Sequence, residues 1–260
     1  MESAQIKNIL RKSITQLYSL AGLKPIPRGH RVFMFHSIEE KVELDPNDFF
    51  TVPLKDFKEE LIYLKEQKNT QVIKLDEDKI DWDKTNVSIT FDDGYKNNMT
   101  MAAPLLIQNK MPFSIFIATG FVKNQHPDFM SEEQIKELST NPLVTIGSHS
   151  VSHKSLTKLN DEELERELSE SKAYLEELTQ KSITTLAYPY GAVDRRVRDM
   201  AEKVGYKTAV CSRFDINKEG RDPLLLNRSE LNSMDNPKSF AEKLRGHWDW
   251  YRYRHKDPAK

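Results

Sequence analysis

The sequence predicts an α/β fold, a (β/α) barrel, and three observations point to it. Short apolar runs alternate with amphipathic stretches about seven or eight times, which implies a parallel sheet with right-handed crossovers. The runs that read as strands are followed repeatedly by His, Asp or Tyr, so polar groups collect at one rim, where barrels of this kind carry out their chemistry. The length of 260 residues suits one α/β barrel. An open doubly wound sheet is the competing architecture.

Each element has its own signature. Arg31 to Phe35 (RVFMF) reads as a buried strand. Leu54, Phe57, Leu61 and Leu64 mark one face of a helix, with Pro53 near its first turn. Gln71 to Leu75 is a second strand. Asn86 to Phe91 is a third, with Val87, Ile89 and Phe91 alternating. A helix is predicted over much of Tyr95 to Lys110 and a strand over Phe113 to Ala118. Ser131 opens another helix, with Glu132 and Glu133 suited to its positive end. Leu143 to Ile146 is a strand. Asp161 to Leu178 is the clearest helix: Leu164, Leu168, Leu175 and Leu178 share a face, and its acidic run is a solvated surface. Thr184 to Tyr188 is a strand, Asp194 to Lys203 a helix and Lys207 to Cys211 a strand. Leu224 to Leu226 is expected to begin the last strand, and Ser239 to Arg245 to form a closing helix.

Charge and composition narrow the function. Lys and Arg total 39 against 40 Asp and Glu, a net charge of -1, so there is no electrostatic ground for nucleic-acid binding. The single cysteine, Cys211, excludes an intrachain disulfide and a CxxC metal knuckle. No apolar run approaches the roughly 18 residues needed to span a bilayer. Ile6, Leu10, Ile14 and Leu17 recur at helical spacing, and Lys7, Arg11 and Lys12 interrupt them. That pattern predicts an amphipathic helix and linker over residues 1–27, packed on the domain or lying on a membrane surface, and no export signal. The expected location is therefore the cytoplasm, with peripheral association at the inner face of the membrane. Residues 28–246 form the expected barrel. Residues 247–260 are a basic aromatic tail carrying Trp248, Trp250, Tyr251 and Tyr253 among Arg252, Arg254 and Lys256. Its rings can stack on sugars, lie at a membrane interface or pack on the barrel.

The residues beyond the strand ends suggest hydrolytic chemistry. RVFMF leads to His36. NVSITF leads to Asp92 and Asp93. LVTI leads through Gly147 and Ser148 to His149, with His153 four residues on. A helix face or a tight turn can bring residues four apart together. Two neutral imidazoles and a carboxylate make a three-ligand catalytic metal site. Two adjacent carboxylates repel each other unless a cation lies near. An Asp-Gly turn alone explains only one of them. If one acid ligates a metal, the other can take a proton from water that the metal acidifies to a pKa of about 7.

In chain order, TFDDG (Thr90 to Gly94), HSVSH (His149 to His153) and YPYG (Tyr188 to Gly191) resemble the first three signature motifs of polysaccharide deacetylases. This is the NodB-homology family, carbohydrate esterase family 4. The resemblance spans Arg31 to Arg228. FHSI (Phe35 to Ile38) is similar to the opening element of the subgroup acting on bacterial exopolysaccharides. The resemblance implies a distorted (β/α)7 barrel of the polysaccharide deacetylase type. It implies one divalent metal, zinc ahead of cobalt or nickel, held by Asp93, His149 and His153. It gives Asp92 the part of general base and the Tyr190 backbone N–H that of oxyanion donor. The implied reaction removes N-acetyl groups from amino sugars of a polysaccharide or lipid-linked glycan.

Two departures stand out. Many relatives have an arginine where this chain has Ala187, and the late Leu-x-His motif that supplies a general acid is not matched. His36, at a strand end on the same rim, is the favoured general acid, with His247 as alternative. Tyr95, Tyr188 and His247 are the candidate substrate contacts. A hydrolase of a formamido sugar or ureide, and a catalytically silent glycan-binding barrel, are the competing functions.

Overall fold

The computed structural model describes residues 26–42, 45, 47–254 and 257–258. The amphipathic helix expected over residues 1–27 lies almost wholly outside the described residues. The strands are β1 (Gly29–Phe35), β2 (Ser37–Ile38), β3 (Thr51–Val52), β4 (Thr70–Val72), β5 (Thr85–Phe91), β6 (Phe113–Ile117), β7 (Val144–Ser148), β8 (Thr185–Ala187), β9 (Thr208–Val210) and β10 (Ser229–Glu230). The helices are α1 (Leu54–Glu66), α2 (Ala103–Gln108), α3 (Thr119–Lys123), α4 (Glu132–Ser139), α5 (Asp161–Thr179), α6 (Arg195–Val204) and α7 (Pro237–Leu244).

The main sheet runs β10-β1-β5-β6-β7-β8-β9, with β4 beside the first half of β5, and every strand pair is parallel. Its two edges are joined by one short segment. Leu226 bridges Val210 in parallel, and Ser229 and Glu230 pair with Phe33 and Met34. The sheet therefore curls into the seven-strand barrel the sequence implied, closed on one side by a few residues instead of a full strand.

Alternation along the strands separates two layers. Val32, Phe116, Ala187, Val210 and Leu226, from five strand positions, form a small buried cluster in the barrel interior. Their neighbours Phe33, Ile89, Phe91, Ile115 and Ile117 belong to the larger cluster shared with the helices. Being buried on both faces is why these strands read as continuous apolar runs. Gly147 is required by the inner layer: a Cβ there would sit 2.5 Å from Thr185 Oγ1 and 2.6 Å from the Phe116 ring.

Local chemistry sets the helix starts. Ser131, Asn160 and Asn236 close capping boxes at α4, α5 and α7, and Asp194 caps α6. One expectation is corrected. Pro223–Leu225 forms a 3₁₀ turn, because Pro223 has no N–H for a ladder and Asp222 accepts the Leu224 N–H at 2.9 Å. Strand character begins only at Leu226. Helix covers much of Tyr95 to Lys110 as expected, running over 96–108 with a π turn, Asn98–Ala102, near its start. There the Asn98 side chain donates to the His36 carbonyl at 2.6 Å, and Asn97 bonds the backbone N–H of Ile38 and the Ser37 hydroxyl. The tail packs on the barrel: Asp249 forms a two-pronged ion pair with Arg31, which is fully buried, at 2.7 and 2.9 Å. No helix among the described residues is long and apolar enough to cross a membrane.

Candidate active site

Three loops meet at the carboxyl rim. The first follows β5. Asp92 remains in line with the strand, its N–H donating to Phe35 O at 2.9 Å. Asp93 then turns into the left-handed region at φ 70°, and Gly94 follows at φ 83°. Two consecutive left-handed residues reverse the chain, so the adjacent acids point to different neighbours. Holding a non-glycine residue there costs about 1–2 kcal/mol, a strain typical of functional positions.

The second loop follows β7. Ser150 and His153 adopt φ 64° and 54°, so the histidines converge through a turn and not on a helix face. His149 Nδ1 is 2.7 Å from the Ala187 carbonyl. A carbonyl only accepts, so Nδ1 holds the proton and Nε2 keeps its lone pair. His149 Nε2 lies 3.5 Å and His153 Nε2 3.3 Å from Asp93 Oδ1. Burial brings the His149 pKa down to about 4, despite Asp92 nearby, so the ring is neutral.

These three groups fit a divalent cation. Their ligand atoms all lie within 4.8 Å of one another. Asp93 Oδ1 is buried and accepts no hydrogen bond, so an acceptor is held out of water with nothing to neutralise it. A tetrahedral ion with bonds of about 2.0–2.1 Å separates its ligands by about 3.3 Å, close to the spacing seen here.

Asp92 is handled differently. Arg228, fully buried, holds both its oxygens, at 2.6 and 2.7 Å. The same guanidinium bonds Cys211 O at 3.0 Å and Thr90 Oγ1 at 3.3 Å. Burial alone would raise the Asp92 pKa. Arg228, with His149 and His36 adding to it, reverses that and holds the carboxyl well below the usual range. Arg228 comes from the closing segment of the barrel. Position 187 could not serve as it stands, since the Ala187 side chain packs in the apolar interior.

A cavity of about 1070 Å³ opens over these groups. His36, Tyr95, Asp92, Asp93, His149, His153 and Tyr190 all line it. The His36 ring rests against Phe50, centroids 4.5 Å apart, and its main chain is held by Asn98. The Tyr95 hydroxyl bonds Asp93; burial, then Asp93 and Asp45, push its pKa far up, so it stays protonated. Tyr190, at φ 60°, turns its peptide at the lip and sets its ring 4.8 Å from that of His153.

The sequence profile of the polysaccharide deacetylases matches residues 79–209. The chain belongs to that family. It is 29% identical over 185 residues to the candidate polysaccharide deacetylase YxkH of Bacillus subtilis, covering 69% of this chain and 63% of that one. It is 32% identical over 135 residues to a poly-β-1,6-N-acetyl-D-glucosamine N-deacetylase of Staphylococcus aureus, covering 48% and 47%. The chain thus spans less than two thirds of the length of either relative. A polysaccharide deacetylase from Bacillus cereus superposes with a TM-score of 0.71 at 25% identity, over 84% of this chain and 69% of that one. The Streptococcus pyogenes deacetylase PplD gives 0.73 at 20% identity, over 84% and 99%, a likeness of fold.

Two expected substrate contacts are not brought to the cavity. Tyr188 is fully buried in the core, its hydroxyl donating to the Leu224 carbonyl at 2.9 Å. His247 is buried beyond the end of α7, where its N–H donates to Glu242 O, and it does not line the cavity. Sequence reasoning missed Arg228, 136 residues from Asp92, although the need for a cation beside the paired acids was itself visible.

Proposed function

We propose that this polysaccharide deacetylase is a divalent-metal-dependent N-deacetylase of a polymer or lipid-linked glycan of N-acetylated amino sugars, zinc being the expected ion. The observation that carries it is the convergence of Asp93, His149 and His153 on one point, with Asp92 beside them on a separate cation. The three ligands would hold the metal, which when bound polarises the acetamide carbonyl and acidifies water. Asp92, ionised and fixed by Arg228, accepts the proton of the attacking water at a carboxylate oxygen. The Tyr190 N–H donates to the oxygen that becomes negative as the carbonyl is attacked. An amide nitrogen leaves only once protonated, and His36 is the cavity histidine outside the ligand set that can supply the proton. The poly-β-1,6-N-acetyl-D-glucosamine on which the Staphylococcus aureus relative acts supports the glycan class. Exposed Tyr253, next to Arg252 and Arg254, supports docking on an anionic membrane surface; failure to co-sediment with anionic vesicles removes that part.

The test is acetate release from N-acetylglucosamine oligomers and lipid-linked N-acetyl sugars, with bound metal measured in parallel. Asp92→Asn is expected to keep metal and lose turnover, Asp93→Asn to lose both, and chelation to abolish an activity that added zinc or cobalt restores. No acetate from any glycan, with glycan binding intact, would mean a silent binding barrel.

A further inference from the structure

We infer that Glu167, on the second turn of α5, is the positioning residue that gives the His149–His153 loop its metal-binding geometry. The inference rests on the metal reading above. One oxygen of the Glu167 carboxylate accepts two successive backbone N–H groups, from Val151 at 2.9 Å and Ser152 at 2.8 Å. The other accepts the Ser152 hydroxyl. A carboxylate offers only acceptors, and three donors converge on this one.

The opposite side of the same peptides is held from α3. Thr119 N–H donates to Ser150 O at 3.1 Å and Gly120 N–H to Val151 O at 2.8 Å. Approach there is so close that a Cβ on residue 120 would come within 2.6 Å of Val151 O. Val151 is therefore gripped by its N–H from one helix and its carbonyl from another. One turn beyond Glu167, Ser171 meets the Ser148 hydroxyl at 2.7 Å, and Ser148 accepts the Ser150 N–H at 3.2 Å.

The clamped residues lie between the two histidines. Ser150 and His153 are non-glycine residues in the left-handed region, a conformation that persists only where the surroundings impose it. Without Glu167, two backbone donors and a hydroxyl lose their acceptor, and the turn is free to relax. The histidines then no longer present both Nε2 atoms to Asp93 Oδ1. Partners that orient a ligand commonly change metal affinity by about 10–100-fold.

The probe is Co²⁺, titrated into metal-free full-length protein and followed by its visible absorption. Glu167→Ala is expected to bind Co²⁺ at least 10-fold more weakly than wild type, with a weaker or shifted absorption band. Saturating Co²⁺ should restore most acetate release. Glu167→Gln, which keeps the shape and one acceptor, should fall between the two and is the deciding variant if Glu167→Ala does not fold. A merely structural role would lower the melting temperature of the metal-free protein and leave Co²⁺ affinity unmoved. Affinity within about twofold of wild type in the folded variants overturns the inference. A wild type that binds no Co²⁺ overturns the metal reading itself.

Discussion

Replacing Arg228 by methionine separates the two acids most directly. The guanidinium nitrogens lie 2.6 and 2.7 Å from the Asp92 oxygens, which puts the charge centres roughly 4 Å apart. At an effective dielectric constant of about 20, that attraction is about 4 kcal/mol. At about 1.4 kcal/mol per pH unit it corresponds to roughly 3 pH units in the carboxyl's titration. In Arg228→Met the burial that favours the neutral acid is opposed only by His149 and His36, so the titration of Asp92 moves up by about that amount and the carboxylate loses the fork that aims it. Activity at pH 7 should fall by at least about 100-fold, the scale of a lost general base, and recover in part as pH rises. Leaving a buried charge unpaired also costs about 3–5 kcal/mol, or roughly 10 °C in Tm. The assays are acetate release from pH 5 to 9 and thermal denaturation. Adding Asp92→Asn to Arg228→Met removes the stranded charge, so the double variant should melt above the single one. A single variant with the wild-type pH profile and activity within about threefold would refute the argument, since Asp92 would then be ionised without its partner.

Other outcomes follow from the same geometry. His36→Ala should abolish most turnover while His247→Ala leaves it essentially intact, because only His36 lines the cavity; the reverse result would move the general acid to the tail. Glu60 is buried with no hydrogen bond to either oxygen, and burial, then Asp235, push its pKa well above the usual value. The fold therefore keeps a proton that the unfolded chain releases, and stability is full below about pH 4.3 and declines as pH rises beyond it. Glu60→Gln should remove the decline and stabilise by about 1–3 kcal/mol at pH 8; equal melting temperatures there would contradict it. His30 is the opposite case: burial lowers its pKa from 6.5 to about 4, so its contribution is full above pH 6.5 and is lost as pH falls toward 4. The loss amounts to about 3 kcal/mol, and His30→Gln should flatten that limb of a stability curve measured by urea denaturation.

The sequence announces those parts of the fold whose cause is local. Strands buried on both faces leave apolar runs, so β1, β5 and β6 are found within two residues of where they lie. Capping residues fix the starts of α4, α5 and α6. The convergence of Asp93, His149 and His153 is readable because each follows a strand end, and parallel strands deliver their ends to one rim. The missed features depend on closure. Arg228 acquires meaning only once Leu226 and Ser229 seal the sheet and carry it beside Asp92. Both His36 and Arg228 also lie outside the stretch that matches the family profile. Tyr188 was placed in the site by its motif, yet its alternation with Ala187 along the strand sends the side chain to the opposite layer. His36 is legible from its strand end, whereas Asn98, which holds its carbonyl, and Asn97, which holds the two residues after it, read as ordinary helix residues.

The ion pair that fixes Asp92 also limits what can titrate in catalysis. A carboxylate held well below its usual range is ionised across an assay from pH 5 to 9, so Asp92 is not expected to set the acid limb of the wild-type pH–rate profile there. It is a weak proton store at equilibrium and serves only if it passes the proton on within the same encounter. The ring that can receive or replace that proton is His36, close enough for its charge to bear on Asp92. Asp92 and His36 are thus expected to act as a couple, in which losing either removes nearly as much activity as losing both. Fully additive losses in the double variant would show instead that the two side chains handle separate protons.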